Sequence, residues 1–377
     1  MSRKKTVMLR KNKRLILKLI ICLMTGLCII AVLLYFGVIQ INRPSYERYP
    51  VRGVDVSRYQ GEIDWEILFK QGIKFAYIKA TEGSSHIDER FTSNWEQAQK
   101  TALRIGAYHF FSMDSPGEKQ AELFCSIVTP VQSMLPPVID FEPYGRYTSL
   151  KDLDTEALAS ELEQCLATIQ ERYDLTPIIY TTQDWYPFIH ERFPYNDIWI
   201  RSVYGKPGND IGWTFWQYSN RTKLEGYTGT ERYIDMDAFC GSVEEFYNYQ
   251  NSNAPKILEV AQSYPAGDSI EFPVDISLMF TKKSKPINSN QAAIELAMEL
   301  IGECHKKGQF SDFTLLAIVH SEHDNMWYFE YSIDQQNENA ENLVDCGNFN
   351  VAVDGSAGNI IRAWIEEKVE KSSMSHY

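Results

Sequence analysis

From residue 52 onward, apolar residues gather in short runs separated by polar, periodic stretches. Eight such runs read as strands: 52–57 (RGVDVS), 73–83, 104–111, 136–142, 176–182, 197–203, 212–219 and 232–240. Each is rich in β-branched and aromatic residues and is bounded by turn formers. Between the earlier runs the period changes from two to about 3.6. "IDWEILFKQG" stops at a glycine, as helices commonly do. "DERFTSNWEQAQKTAL" and "SPGEKQAELFCSIVTPV" are amphipathic, and "LKDLDTEALASELEQCLATIQERYD" is the longest helical stretch. Strands alternating with helices imply parallel βαβ units. Eight strands point to a (β/α) barrel of the α/β class rather than an open sheet. No GxGxxG follows the first run, which argues against a dinucleotide fold.

The pattern changes beyond the barrel region 51–247. "NYQNSNAPK" is polar, and 248–256 reads as a linker. Residues 257–372 read as a small α+β domain. "NSNQAAIELAMELIGECHKKG" is one helix, and "FTLLAIVHS", "NMWYFEYSID" and "GNFNVAVDGSAGNIIRAWIEE" alternate as antiparallel strands with a hairpin turn.

The amino end carries a third pattern. Residues 1–18 hold eight basic residues and no acid, and 19–41 (LIICLMTGLCIIAVLLYFGVIQI) are 23 residues without a charge. This is long enough for a membrane-crossing helix. The basic flank predicts a cytoplasmic amino terminus, with a stem at 42–50 and the rest of the chain outside the cell. The competing reading, a cleaved signal peptide, lacks a convincing small-x-small site.

Charge narrows the function. The formal net charge is −13. Without the basic tail the balance is 29 basic against 50 acidic residues. Such a surface is unsuited to nucleic acid. The seven cysteines form no CxxC pair and show no zinc spacing.

Candidate chemistry sits at the strand ends, where barrels of this class assemble their sites. Asp55 ends the first run, Glu82 the second, and His109 lies late in the third. Asp140 and Glu142 close the fourth, Tyr180 ends the fifth, and Gln217 and Asp235 lie in the last two. Residues i and i+2 of a strand share a face, about 6.6 Å apart. Two carboxyls held there repel, so one should keep its proton near neutral pH. A protonated acid beside an ionised one is the equipment for cleaving a glycosidic bond.

"GVDVSRYQGEIDW", "FAYIKATEG", "GAYHFF", "PPVIDFE", "PIIYTT", "WTFWQYS" and "IDMDAF" resemble, in order, the strand motifs of glycoside hydrolase family 25, the Ch-type lysozymes or N-acetylmuramidases. The resemblance covers about residues 51–245. It implies an irregular eight-stranded barrel with fewer helices and hydrolysis of the β-1,4 link between N-acetylmuramic acid and N-acetylglucosamine, with neither metal nor cofactor. It matches Glu142 to the general acid/base. Asp140 matches the second catalytic carboxylate, acting as nucleophile or as partner to a substrate acetamido group. Asp55 and Asp235 match two further cleft acids, and Tyr180, His109, Trp216 and Gln217 match positions lining the sugar cleft; Glu82 joins the substrate-binding set from its place after the second strand. Asp237 stands where the family often has Asn. The family's W-x-A-x-Y after the sixth strand is here "WIRSVYG", with Arg201 in place of the small residue.

The expectation is thus a membrane-anchored muramidase acting on peptidoglycan glycan strands, its distal domain docking on an envelope-spanning secretion or conjugation apparatus. A non-catalytic glycan-binding module would require a lost acid, and none is lost. A metal-dependent deacetylase would require paired histidines that the sequence lacks.

Overall fold

The computed structural model describes residues 17–30, 32–33, 42–251, 256–260, 285–307, 312–336 and 343–366. Eight strands close a barrel: β1 (Arg52–Val56), β2 (Ile73–Glu82), β4 (Arg104–Phe110), β5 (Val138–Asp140), β6 (Ile178–Thr182), β7 (Ile198–Arg201), β8 (Phe215–Thr222) and β9 (Ile234–Phe239). A two-residue strand, β3 (His86–Ile87), hangs on β2. The strands pair in parallel from β1 round to β8, and β9 closes the ring antiparallel to both β8 and β1. The direction of β9 matters for the site, because its first residues, not its last, reach the rim formed by the other strands' carboxyl ends.

Past the amino-terminal helix α1 (17–30 and 32–33), helices cover the ring from β1 to β7: α2 (Trp65–Lys70), α3 (Phe91–Ala98), α4 (Gly117–Ile127), α5 (Thr155–Tyr173) and α6 (Tyr186–Arg192). Their starts follow capping chemistry. Asp64 and Asp154 each accept a backbone N–H of the first turn of α2 and α5, from Ile67 and Ala157. No helix lies between β7 and β8 or between β8 and β9. There the stem takes a helix's place. Tyr49 is buried against Trp213 and Trp216, and Asn42 Nδ2 donates to the Ser202 and Gly205 carbonyls at 2.6 and 2.9 Å.

The barrel's interior is filled by rings. Phe75, Tyr77, Trp199 and Phe215 meet at centroid distances near 5–6 Å. Gly53 and Gly106 make room for them: a Cβ at either position would fall 2.2 or 2.3 Å from the Phe75 or Tyr77 ring. An apolar layer of Leu, Ile, Val and Phe side chains packs the helices onto the outer wall.

The expected strands all appear, shortened by a residue or two at most ends. Of the expected linker 248–256, residues 252–255 lie outside the described residues. α7 (Val243–Asn248) and the residues after it belong to the barrel's floor. Arg104, buried there, donates to the Phe246 and Tyr249 carbonyls, while the Tyr249 hydroxyl donates to Asp197 at 2.6 Å. These polar side chains find partners on the barrel, so they do not form a solvated connection. The distal unit contains α8 (Asn290–Lys307) and a sheet ordered β10 (Lys256–Val260), β11 (Asp312–Ser321), β12 (Met326–Gln336), β13 (Leu343–Asp354) and β14 (Asn359–Glu366). β10, which pairs parallel with β11, begins inside the expected linker. α8 abuts the barrel floor: Lys74 pairs with Glu295 at 3.8 Å, and Phe246 and Tyr247 share an apolar cluster with Ile294 and Ala297.

Residues 17–30 and 32–33 are helical, with exposed apolar side chains such as Leu23 and Leu27. Among the described residues no helix is long and apolar enough to cross a membrane. The expected span, 19–41, includes residue 31 and residues 34–41, which lie outside the described residues.

Candidate active site

Gln217 organises the rim. It sits on β8, buried, with its side chain directed into the barrel. Its Nε2 donates to Asp55 Oδ2 at 2.8 Å and more weakly to Asp235 Oδ2 at 3.4 Å, and its Oε1 accepts the Tyr180 hydroxyl at 3.0 Å. Asp55 and Asp235 are cross-strand neighbours on β1 and β9. One neutral amide therefore ties together side chains from β1, β6, β8 and β9.

Asp140 and Glu142 approach from the neighbouring wall. β5 ends at Asp140, but the Phe141 N–H still donates to the Tyr180 carbonyl at 2.9 Å. The chain thus stays extended through Glu142. Phe141 packs outward on Phe111 and Trp185, leaving 140 and 142 on the cleft side. These groups and their neighbours surround a cleft of about 300 Å³.

The carboxyl cluster cannot all be ionised. Burial holds Asp140 well above the ordinary carboxylate range, and the charge of Glu142 adds to this. Glu142 is also raised, by burial and by Asp55, against the opposing charges of Arg201 and Lys79. Burial and then Asp55 hold Asp235 high. Asp55 is pushed up to about 6 by burial, with the Gln217 hydrogen bond as the main restraint. Asp237, one step deeper on β9, is fully buried. Its Oδ1 accepts the Trp199 indole N–H at 2.9 Å, and its carboxyl shares a hydrogen bond with that of Asp55. Burial and the negative neighbours Asp55 and Asp235 hold that carboxyl well above the ordinary carboxylate range. The expectation of one raised carboxyl thus understates the site, where burial raises all five carboxyls, the direction that general acid chemistry near neutral pH requires.

Of the expected site residues, Asp55, Asp140, Glu142, Tyr180, Gln217 and Asp235 line this cleft. Three do not. His109 points outward to α4, its Nδ1 2.7 Å from Thr81 Oγ1 and its Nε2 3.0 Å from Gln120 Oε1. Burial pulls it down to about 4, so the ring is neutral and structural. Trp216 also faces outward, its indole donating to the Ser202 carbonyl and packing on the stem's Tyr49. A strand alternates faces, so a displacement of one residue reverses the assignment. Beside His109 the cleft residues are the adjacent ones of opposite parity, Tyr108 and Phe110 on β4, and beside Trp216 it is Gln217; Tyr59, Tyr180 and Trp199 complete the aromatic lining. Glu82, 44% exposed, stands one step back and pairs with Lys79 at 2.7 Å. Lys79 and Arg201 supply the cleft's positive charge. Lys79 was legible in "YIKATE" as an inward residue of its strand.

A closed barrel whose rim gathers carboxyls around an aromatic-lined cleft has the architecture of a carboxylate glycosidase. Comparison with known proteins gives the family. The model of "Glycosyl hydrolases family 25" matches residues 54–227. The chain is 31% identical to Lysozyme M1 of Streptomyces globisporus over 216 residues, 54% of this chain and 72% of that protein. It is 35% identical to YegX of Escherichia coli K12 over 209 residues, 52% of this chain and 72% of that one. The solved structure of a family 25 glycosyl hydrolase from Bacillus anthracis aligns with a TM-score of 0.51 and 48% identity, covering 55% of this chain and 97% of that one. The chain belongs to glycosyl hydrolase family 25.

Proposed function

We propose that the chain is a peptidoglycan hydrolase that cleaves the β-1,4 bond between N-acetylmuramic acid and N-acetylglucosamine. The observation that carries this reading is the paired Asp140 and Glu142, side by side in a cleft that keeps protons on its acids. Its family relatives include a lysozyme. Glu142 is the general acid: its proton passes to the leaving glycosidic oxygen as the bond to the anomeric carbon breaks. The resulting carboxylate then accepts a proton from the water that adds to that carbon. Asp140, the second carboxyl of the pair, supports the positive charge that develops at the anomeric carbon, either as the nucleophile or as the carboxylate that polarises the substrate's 2-acetamido group for attack there. Asp55 and Asp235, held by Gln217, shape the local field, and the accessible rings Tyr59, Tyr108 and Phe110 form the surface on which the sugar rests.

The charge-free segment 19–41 supports a membrane anchor with its amino end in the cytoplasm and the barrel outside the membrane. The distal unit is an accessory module. It lies against the barrel floor, opposite the rim that carries the carboxyls, which suits a docking role at an envelope-spanning apparatus better than a part in the chemistry.

Glu142→Gln tests the assignment. Gln preserves shape but has no proton to give, so hydrolysis of purified peptidoglycan should fall by about 10²–10⁴. A folded variant clearing wall suspensions near the wild-type rate would refute it.

A further inference from the structure

Arg201, like Asp237, stands where this chain leaves the pattern its motifs otherwise follow. It ends β7 and lines the cleft, half-buried. Its backbone lies level with Gln217 on one side and Thr182 on the other. Among the described residues it makes no ion pair within 4 Å and no side-chain hydrogen bond. Its charge nonetheless acts on three cleft acids, Glu142, Asp55 and Asp235. A guanidinium tied to one carboxylate would serve that carboxylate alone. One held among several, in contact with none, serves the group.

We infer that Arg201 is the counter-charge of the carboxyl cluster, a positioning residue that keeps part of the cluster ionised at working pH and so sets the pH window of the reaction. This rests on the functional reading above. The groups facing Glu142 can be taken strand by strand. Asp55 on β1, Asp140 on β5, and Asp235 and Asp237 on β9 each oppose its ionisation when they are charged themselves. Tyr108 on β4 and Tyr180 on β6 are held neutral, well above their ordinary range, by burial. Glu82 and Glu231 stand farther out. Among the described residues two cations act against these acids. Lys79 on β2 is already engaged by Glu82 at 2.7 Å. Arg201 is the other, and it is uncommitted. Without it, the acids would bind protons more tightly, and the form with one neutral and one ionised carboxyl would appear only at higher pH.

The test compares full-length wild type with Arg201→Gln, Arg201→Lys and Arg201→His, following release of reducing ends from purified peptidoglycan between pH 4 and 9. Arg201→Gln should move both limbs of the profile upward by about one pH unit, the low end for a charge beyond contact distance. KM should change less than twofold, and Arg201→Lys should restore the window. Arg201→His carries charge only below about pH 6.5, so it should keep the acidic limb of the wild type and the alkaline limb of Arg201→Gln. An unmoved window in a folded Arg201→Gln, or a loss confined to KM, overturns the inference; the latter would make Arg201 a substrate-binding group. If wild type itself releases no reducing ends, the functional reading fails. The counter-charge is then judged without substrate, from the urea midpoint as a function of pH. Removing the charge should steepen the loss of stability above pH 6, and an identical slope would overturn it.

Discussion

Replacing Gln217 by Leu removes the amide on which four strands converge. Three hydrogen bonds go: one each to Asp55 and Asp235, and one from Tyr180. The bond to an ionised Asp55 is worth about 1.5–3 kcal/mol and the neutral Tyr180 bond about 1 kcal/mol. At pH 7.5, where Asp55 with its value of about 6 is ionised, the total loss should be about 3–4 kcal/mol. At pH 4.5 Asp55 is protonated and its bond is a neutral one, so the loss should shrink to about 2 kcal/mol. The sign follows from linkage. The folded-state value of Asp55 lies above the ordinary 3.8, so the fold binds the proton more tightly than the unfolded chain does. Stability attributable to Asp55 is therefore greatest below about pH 4 and declines as the pH rises toward 6. Losing Gln217, the main restraint on that rise, extends the decline to higher pH. Urea unfolding followed by tryptophan fluorescence reads this directly, because Trp199 packs edge-on against Tyr180 at 5.0 Å. An equal loss at both pH values would show that Gln217 does not stabilise a charge on Asp55.

Asp237→Asn should leave activity within about threefold of wild type, because a protonated Asp and an Asn can both donate from that position while accepting the Trp199 N–H. Asp237→Leu, which leaves that N–H unpaired, should destabilise by about 1–3 kcal/mol; equal unfolding midpoints for the two variants would contradict this. A chain of residues 42–251 should fold and cleave peptidoglycan, whereas one ending at 247 loses the Tyr249 and Gln250 contacts to Asp197 and should unfold at a lower urea concentration. Equal midpoints would show that the floor segment adds nothing.

The barrel was legible because its strands are short apolar runs with abrupt boundaries, and because every acid of the cleft sits at or near a strand end. Asp55, Asp140, Glu142, Gln217 and Asp235 could be found in this way. Parity was harder to read. "AYHFF" alternates apolar and polar side chains on both faces, since the outer face is covered by α4 and so is buried too. Polarity alone could not tell His109, satisfied by Thr81 and Gln120, from Tyr108 in the cleft. Trp216 misleads for the same reason: the stem's Tyr49 buries it from outside. The barrel contacts of residues 249 and 250 were not legible, because a polar sequence is indistinguishable from a solvated one until its partners, here Asp197 and Arg104, are known. Arg201 stood out in the sequence only as a departure, and its use depends on charges brought from four other strands.

The most direct measurement is mass spectrometry of the fragments released from purified peptidoglycan by the wild type and by Glu142→Gln. A muramidase built on these carboxyls should leave new reducing ends on N-acetylmuramic acid, and Glu142→Gln should release almost none. Reducing ends on N-acetylglucosamine, or unchanged release by the variant, would contradict the assignment of bond and acid.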